Sequence, residues 1–152
     1  MKRIILIITV MCLFFCPIQG QDITDSLKID TVKLYHNTII IKYPENFYKS
    51  EQSEEYGGIF IYYASRPPIS HVIIMEATNS KMDFGEDCIM TDKTELEHRY
   101  TEKGVCPLRG YYRSDTYKGT RIKISYESVS ECEYLLFDYI LDSVQLINNV
   151  VK

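Results

Sequence analysis

The sequence predicts an α+β domain: a twisted antiparallel sheet of about six or seven strands, with one long C-terminal helix packed on one face. Three features predict it. Residues 130–147, SECEYLLFDYILDSVQLI, form the one long stretch with helical periodicity. Most of the chain before it falls into short alternating or apolar runs bounded by turn residues. The connections between those runs are short, which forces neighbouring strands to be antiparallel.

The chain opens with Lys2 and Arg3, then an apolar run over 4–15 that is too short to span a bilayer comfortably. This is the pattern of a secretory signal peptide over residues 1–20, cut after the small Gly20. The alternative is a lipid anchor on Cys16, where Phe15 occupies the place usually held by a small residue. Either way the protein is expected to be exported, periplasmic or secreted, with no transmembrane helix in the mature chain. About 130 residues then remain, enough for one domain with its own core.

Residues 21–30 read as a polar lead-in, 31–149 as a single α+β domain, and 150–152 as a tail. Val32, Leu34 and His36 alternate with Lys33 and Tyr35, which predicts a first strand. A second follows over 38–43 and stops at Pro44. Residues 48–58 look like a polar connection closing on Gly57-Gly58. The continuous apolar runs 59–63 and 72–75 suit two central strands covered on both faces and paired as a hairpin. Pro67-Pro68 marks the turn between them. Residues 79–92 read as a loop or short helix over the sheet's open face. Alternation resumes over 94–101, which places Glu95, Glu97 and Arg99 on one strand face, and Glu102-Lys103-Gly104 ends that strand. A strand over 108–113, a turn over 115–119 and a strand over 120–127 complete the sheet. Ile122, Ile124 and Tyr126 share the face of that last strand.

In the final run, Cys132, Leu136, Ile140, Val144 and Ile147 fall on one line at 100° per residue. Flanking residues widen the apolar arc to about 240°, more than a surface helix needs. Asp138 and Asp142 belong to its narrow polar strip. Ser130 and Glu133 have capping-box spacing, and Asn148-Asn149 is a plausible stop. Cys132 is expected to be a buried, inert thiol. Cys88 and Cys106 flank a polar stretch, and export makes a disulfide between them plausible.

The full chain carries 17 basic and 21 acidic residues, a net charge of −4. Removing the leader takes away two basic residues and leaves −6. With no basic cluster, a nucleic-acid partner is not expected.

Two stretches resemble the PsbP-like proteins, small α+β sandwich domains. Residues 39–47, IIIKYPENF, are similar to their early strand and its Tyr-Pro-x-x-aromatic turn, and residues 137–146, FDYILDSVQL, to their closing helix. The resemblance implies a binding or assembly module, since the group includes extrinsic photosystem subunits, envelope lipoproteins and secretion-system chaperones. It carries over no site residues.

Catalytic patterns are missing. His36, His71 and His98 have no metal-ligand spacing, and no nucleophile elbow or phosphate-binding loop occurs. Asp83, Glu86 and Asp87 make an acidic cluster without EF-hand spacing. No cofactor or metal is expected. The leading expectation is an exported, non-enzymatic binding or assembly module of the bacterial cell envelope, acting on an unknown protein partner. One alternative is a periplasmic immunity protein, whose acidic balance would suit a basic toxin. Others are a carrier of a small apolar ligand beneath the helix and a small secreted hydrolase using His98 with Glu95 or Glu97.

Overall fold

The computed structural model of the chain describes residues 26–34, 36–53, 59–64, 70–76 and 85–148. The expected leader, Gly57-Gly58, Pro67-Pro68 and residues 79–84 lie outside them. The described residues form ten strands and one helix. The strands are β1 (Leu27–Lys33), β2 (Asn37–Pro44), β3 (Tyr48–Ser53), β4 (Ile59–Ala64), β5 (His71–Glu76), β6 (Ile89–Glu95), β7 (Arg99–Cys106), β8 (Gly110–Tyr117), β9 (Ile122–Val129) and β10 (Gln145–Asn148). The helix, α1 (Tyr134–Asp142), lies between β9 and β10.

The predicted class is observed: an α+β fold whose strands pair antiparallel, with the helix packed against the main sheet. That sheet has seven strands in the order β3-β4-β5-β9-β8-β7-β6. A second, three-stranded sheet, β1-β2-β10, was not anticipated. The core lies where one face of the large sheet meets the helix and the inner face of the small sheet. Val72, Ile74, Ile122, Ile124 and Tyr126 come from the first; Phe137, Ile140 and Leu141 from the second; Ile39, Ile41 and Tyr43 from the third. Phe137 sits at the junction, its ring 5.7 Å from Phe47 and 5.6 Å from Tyr126. Each such buried side chain contributes about 1.5–3 kcal/mol.

Several predicted boundaries are corrected. The helix covers only half of 130–147. Ser143 ends it by donating its hydroxyl to the Ile140 carbonyl and accepting the backbone N–H of Lys42. The chain then extends, and Leu146 pairs with Ile39 on β2. Ser130 does reach Glu133, side chain to side chain at 2.9 Å, yet the N-cap residue is Glu133 and no side chain caps the N-terminus of the helix. Cys132 therefore precedes the helix, is exposed rather than buried, and is disulfide-bonded.

The polar lead-in ends early, because β1 already pairs with β2 from Leu27. The polar stretch after Tyr48 is a strand, paired with β4 at one edge of the large sheet, where polar side chains are tolerated. Residues 89–92, expected as part of a loop or short helix, are instead the first half of β6, paired with β7. The predicted strand over 94–101 is in fact a hairpin, with a turn over 96–98. Consequently Glu95, Glu97 and Arg99 do not share a strand face. Residues 102–104 lie inside β7, and β8 runs on to Tyr117, so the turn expected over 115–119 begins only at Lys118-Gly119. The hairpin of β4 and β5 is as expected.

Candidate functional site

Two places carry more chemistry than the fold's apolar core requires. The first is a charged lattice under the helix. Alternation along β8 sends Tyr111, Arg113, Asp115 and Tyr117 to the helix side of the sheet. Register pairs Arg99 with Tyr117, Thr101 with Asp115 and Lys103 with Arg113, so these β7 residues face the same way. From above, Asp138 and Asp142, one turn apart on α1, point down onto them.

Arg113 is 1% exposed and Asp115 not at all. The Arg113 guanidinium forks onto Asp115, donating from Nε at 3.0 Å and from Nη2 at 2.9 Å. It also donates to Asp142 at 2.7 Å and to the Asp138 carboxylate at 3.2 Å. Lys103 takes the other Asp138 oxygen at 2.7 Å, and the Tyr126 hydroxyl donates to Asp138 at 2.9 Å. Thr101 donates to Asp115 at 2.8 Å, and Arg99 sits 3.3 Å from the same carboxylate. Three cations meet three carboxylates, so the lattice is neutral.

Its electrostatics follow from burial. Desolvation disfavours the Arg113 cation, but the hydrogen bonds and charges of Asp115 and Asp142 outweigh it and raise the pKa further above its already high value. Burial likewise works against the Asp138 carboxylate, and Lys103, Tyr126 and Arg113 overcome it and hold the pKa below the ordinary carboxylate value. Burial, then the charge of Asp115, pushes the Tyr117 hydroxyl up to about 12. Tyr126 is raised further in the same direction, by burial and by Asp138. Perturbed groups often mark active sites, but structural ion-pair networks perturb pKa values too. Here the carboxylates are occupied by internal donors. Among the described residues, Arg99 Nε and the Tyr117 hydroxyl are the buried polar atoms of the lattice without a partner. The arrangement orients the helix; it presents no activated nucleophile.

The second place is the end of the large sheet where β6 begins and β7 turns into β8. The expected Cys88–Cys106 disulfide is present, with Cα atoms 4.1 Å apart, closing the open end of the β6–β7 hairpin. Past Cys106 the chain turns through Pro107-Leu108, with Arg109 N–H donating to the Cys106 carbonyl at 3.0 Å. Proline followed by a residue at positive φ is the pattern of a type II turn, which normally places glycine second. Here that residue is Leu108, at φ 72 and fully exposed. Gly110 follows at φ 93, where a Cβ would run into the Val129 carbonyl. Ile89 and Met90 are exposed beside the disulfide. Arg109 lies against Asp87 at 2.6 Å and 3.4 Å from the Cys88 sulfur.

The residues singled out from sequence are dispersed. His36 is exposed between β1 and β2, His71 opens β5, and His98 is exposed in the β6–β7 turn. Glu97 is exposed in that same turn, while Glu95 is held by Lys118 at 2.6 Å. Asp83 falls outside the described residues. Among those described, no group of three or more His, Cys, Asp or Glu side chains has a metal-binding arrangement. Tyr111 stacks on Tyr134 at 4.5 Å, and Tyr112 is buried on the opposite face of the sheet. No described helix is long and apolar enough to cross a membrane.

Sequence reasoning missed the lattice. Its signal was opposite charges two apart on a strand, Arg113 and Asp115, with two carboxylates four apart on the helix. Comparison of the chain with protein-family models, with curated proteins and with solved structures finds no match in any of the three.

Proposed function

We propose that the protein is an exported, non-enzymatic binding or assembly module of the bacterial cell envelope, and that it grips a protein partner with the disulfide-braced end of its large sheet. The carrying observation is Leu108. A large apolar side chain is held fully exposed in a backbone conformation that costs an L-residue about 1–2 kcal/mol. Folding alone would favour glycine there. Strain of this kind collects at binding and active sites, and a rigid anchor loses little entropy when it enters a pocket. The disulfide fits an oxidising compartment, in line with the signal-peptide pattern. The partner chemistry that suits the tip is an apolar pocket. Glu86, exposed close by, favours a basic rim, which a toxin neutralised in the periplasm would satisfy.

The test is Leu108→Gly. A photo-reactive amino acid at position 108 first captures the neighbour in the expressing cell. Binding of the purified neighbour is then measured against wild type and variant. Glycine should leave the fold at least as stable and weaken binding at least ten-fold. Equal affinity of the two proteins for the captured neighbour would reject this reading.

A further inference from the structure

The outer face of the small sheet differs from the rest of the molecule. Register fixes its members: Ile29 opposite Lys42, Thr31 opposite Ile40, Lys33 opposite Thr38, and Ile147 beside Thr38 on the other side. These side chains point away from the core, because Val32, Ile39, Ile41 and Leu146 occupy the alternate positions and pack inward. Ile29 is 67% exposed and Ile147 47%. No Asp or Glu occupies any outward position of the three strands, although acidic residues outnumber basic ones in the chain, 21 to 17. Neither Lys33 nor Lys42 makes an ion pair with a carboxylate among the described residues.

We propose that this face docks on an anionic lipid surface. Apolar side chains flanked by lysines, with no carboxylate to repel headgroups, are what such a surface selects. The isoleucines reach the acyl boundary while lysine stems lie along it and keep their ammonium groups at the phosphates. The negative charge of the rest of the protein does not prevent this. At physiological salt the Debye length is about 8 Å, and a domain of this size is about 30 Å across, so the bilayer responds to the nearest face. An acidic protein would offer the same charge but would normally meet the isoleucines with a pocket, and this face is an open sheet.

The position of the face in the chain points the same way. The small sheet contains the first strand among the described residues, which begins at Leu27. The ten residues between Cys16 and that strand span at most about 35 Å. If Cys16 carries a lipid, the face cannot leave the neighbourhood of the bilayer. A weak surface then becomes a second, effectively intramolecular contact. Without the lipid, the same face gives a reversible association.

The experiment uses the protein as an expressing bacterium exports it, its N-terminus read by mass spectrometry and any acylated form removed. Co-sedimentation is measured with vesicles of 30% phosphatidylglycerol in phosphatidylcholine, and with pure phosphatidylcholine. Wild type should partition to the anionic vesicles at least ten-fold more strongly, and raising salt from 50 to 300 mM should remove most of the difference. Lys33→Glu with Lys42→Glu should abolish the preference. Ile29→Ser with Ile147→Ser should weaken binding about five-fold without changing its salt dependence. Lys93→Glu with Lys118→Glu, an equal charge change on the large sheet, should leave it intact. Equal binding to both vesicle types, or equal losses in the two lysine pairs, would overturn the proposal. So would no sedimentation at all, and retention on a polyglutamate column that only the Lys33 and Lys42 changes abolish would then assign the face to an acidic protein.

Discussion

Replacing Arg113 by methionine tests how the helix is held. The guanidinium donates to three carboxylates and is 1% exposed. Methionine keeps most of the volume and removes the charge. Asp115, with no exposure, would keep only Thr101 at 2.8 Å and Arg99 at 3.3 Å, the latter shared with Asp142 at 3.7 Å. Asp138 would keep Lys103 and Tyr126. Asp142, more than half exposed, can turn to water. The cost therefore concentrates on one buried, half-compensated carboxylate. Breaking such a pair from one side costs about 3–5 kcal/mol, and removing one more hydrogen-bonded carboxylate partner at Asp138 adds to it. For a domain of this size that lowers the melting temperature by about 10–20 °C. Arg113→Met with Asp115→Asn restores charge balance, because Arg99 and Lys103 then face Asp138 and Asp142. The double variant should be at least 2 kcal/mol more stable than the sum of the two single losses predicts, since neighbours in one network are strongly coupled. The measurement is urea unfolding followed by circular dichroism on wild type, both singles and the double. Additive losses, or an Arg113→Met variant within about 1 kcal/mol of wild type, would refute the reasoning.

Other consequences can be measured on the same protein. Replacing Cys88 and Cys106 together by serine reopens a loop of 18 residues, and the chain-entropy estimate is a loss of about 3 kcal/mol, seen as a matching fall in urea midpoint; reductant on wild type should lower it further, because Cys132 is bridged too. Tyr117, pushed up to about 12, and Tyr126, raised in the same direction, hold their protons more tightly when folded. Stability is therefore full below the unfolded tyrosine pKa of about 10 and falls as pH climbs through the folded values, which a pH series of melting curves will show. Asp138 shifts the other way, so its contribution is present above about pH 4 and fades as pH falls below that; Asp138→Asn should remove that part of the acid sensitivity. Gly110→Ala combines positive φ with a clash on the Val129 backbone and should cost more than 2 kcal/mol, measured against a neutral Leu135→Ala control on the exposed side of α1.

The fold class and the inward set of β9, Ile122, Ile124 and Tyr126, were legible because local period and burial agree there. The failures have local causes too. The apolar arc of 130–147 was wide because it joined two elements: Phe137, Ile140 and Leu141 belong to a helix, Leu146 to a strand. Val144 and Ile147 happened to continue the helical line. What breaks that line is Ser143 binding the backbone of Lys42, 101 residues away, and no local pattern encodes it. The β6–β7 turn was invisible because Leu96, Glu97 and His98 include no glycine, proline or asparagine and sit inside an unbroken alternation. The strand from Tyr48 was missed because an edge strand can be polar. Among the site features, the disulfide was foreseeable from the placement of Cys88 and Cys106 around a polar stretch and from the expected export, whereas Leu108 was not. Its meaning lies in a backbone angle that Pro107 only partly predicts.

The lattice also explains how so short a helix keeps one orientation. α1 has nine residues, no side-chain cap at its N-terminus, no acidic group in its first turn and no basic group in its last. Isolated helices of that length are marginal in water, so its position must come from what it packs on. The apolar contacts of Phe137, Ile140 and Leu141 are non-directional and would tolerate a small rotation or slide. Asp138 and Asp142 do not. Asp138 must meet Lys103, Arg113 and Tyr126 from three different strands at once, and Asp142 must reach Arg113 one turn further on. A slide of one residue along the axis, about 1.5 Å, would take these charged hydrogen bonds out of range together. The same register brings Ser143 onto β2 and delivers β10 to its place in the small sheet. The outer face of that sheet therefore depends on charges buried on the other side of the helix. Loosening Arg113 should disturb Ile147 and its neighbours before it disturbs the disulfide-braced end, which is held by its own covalent bond.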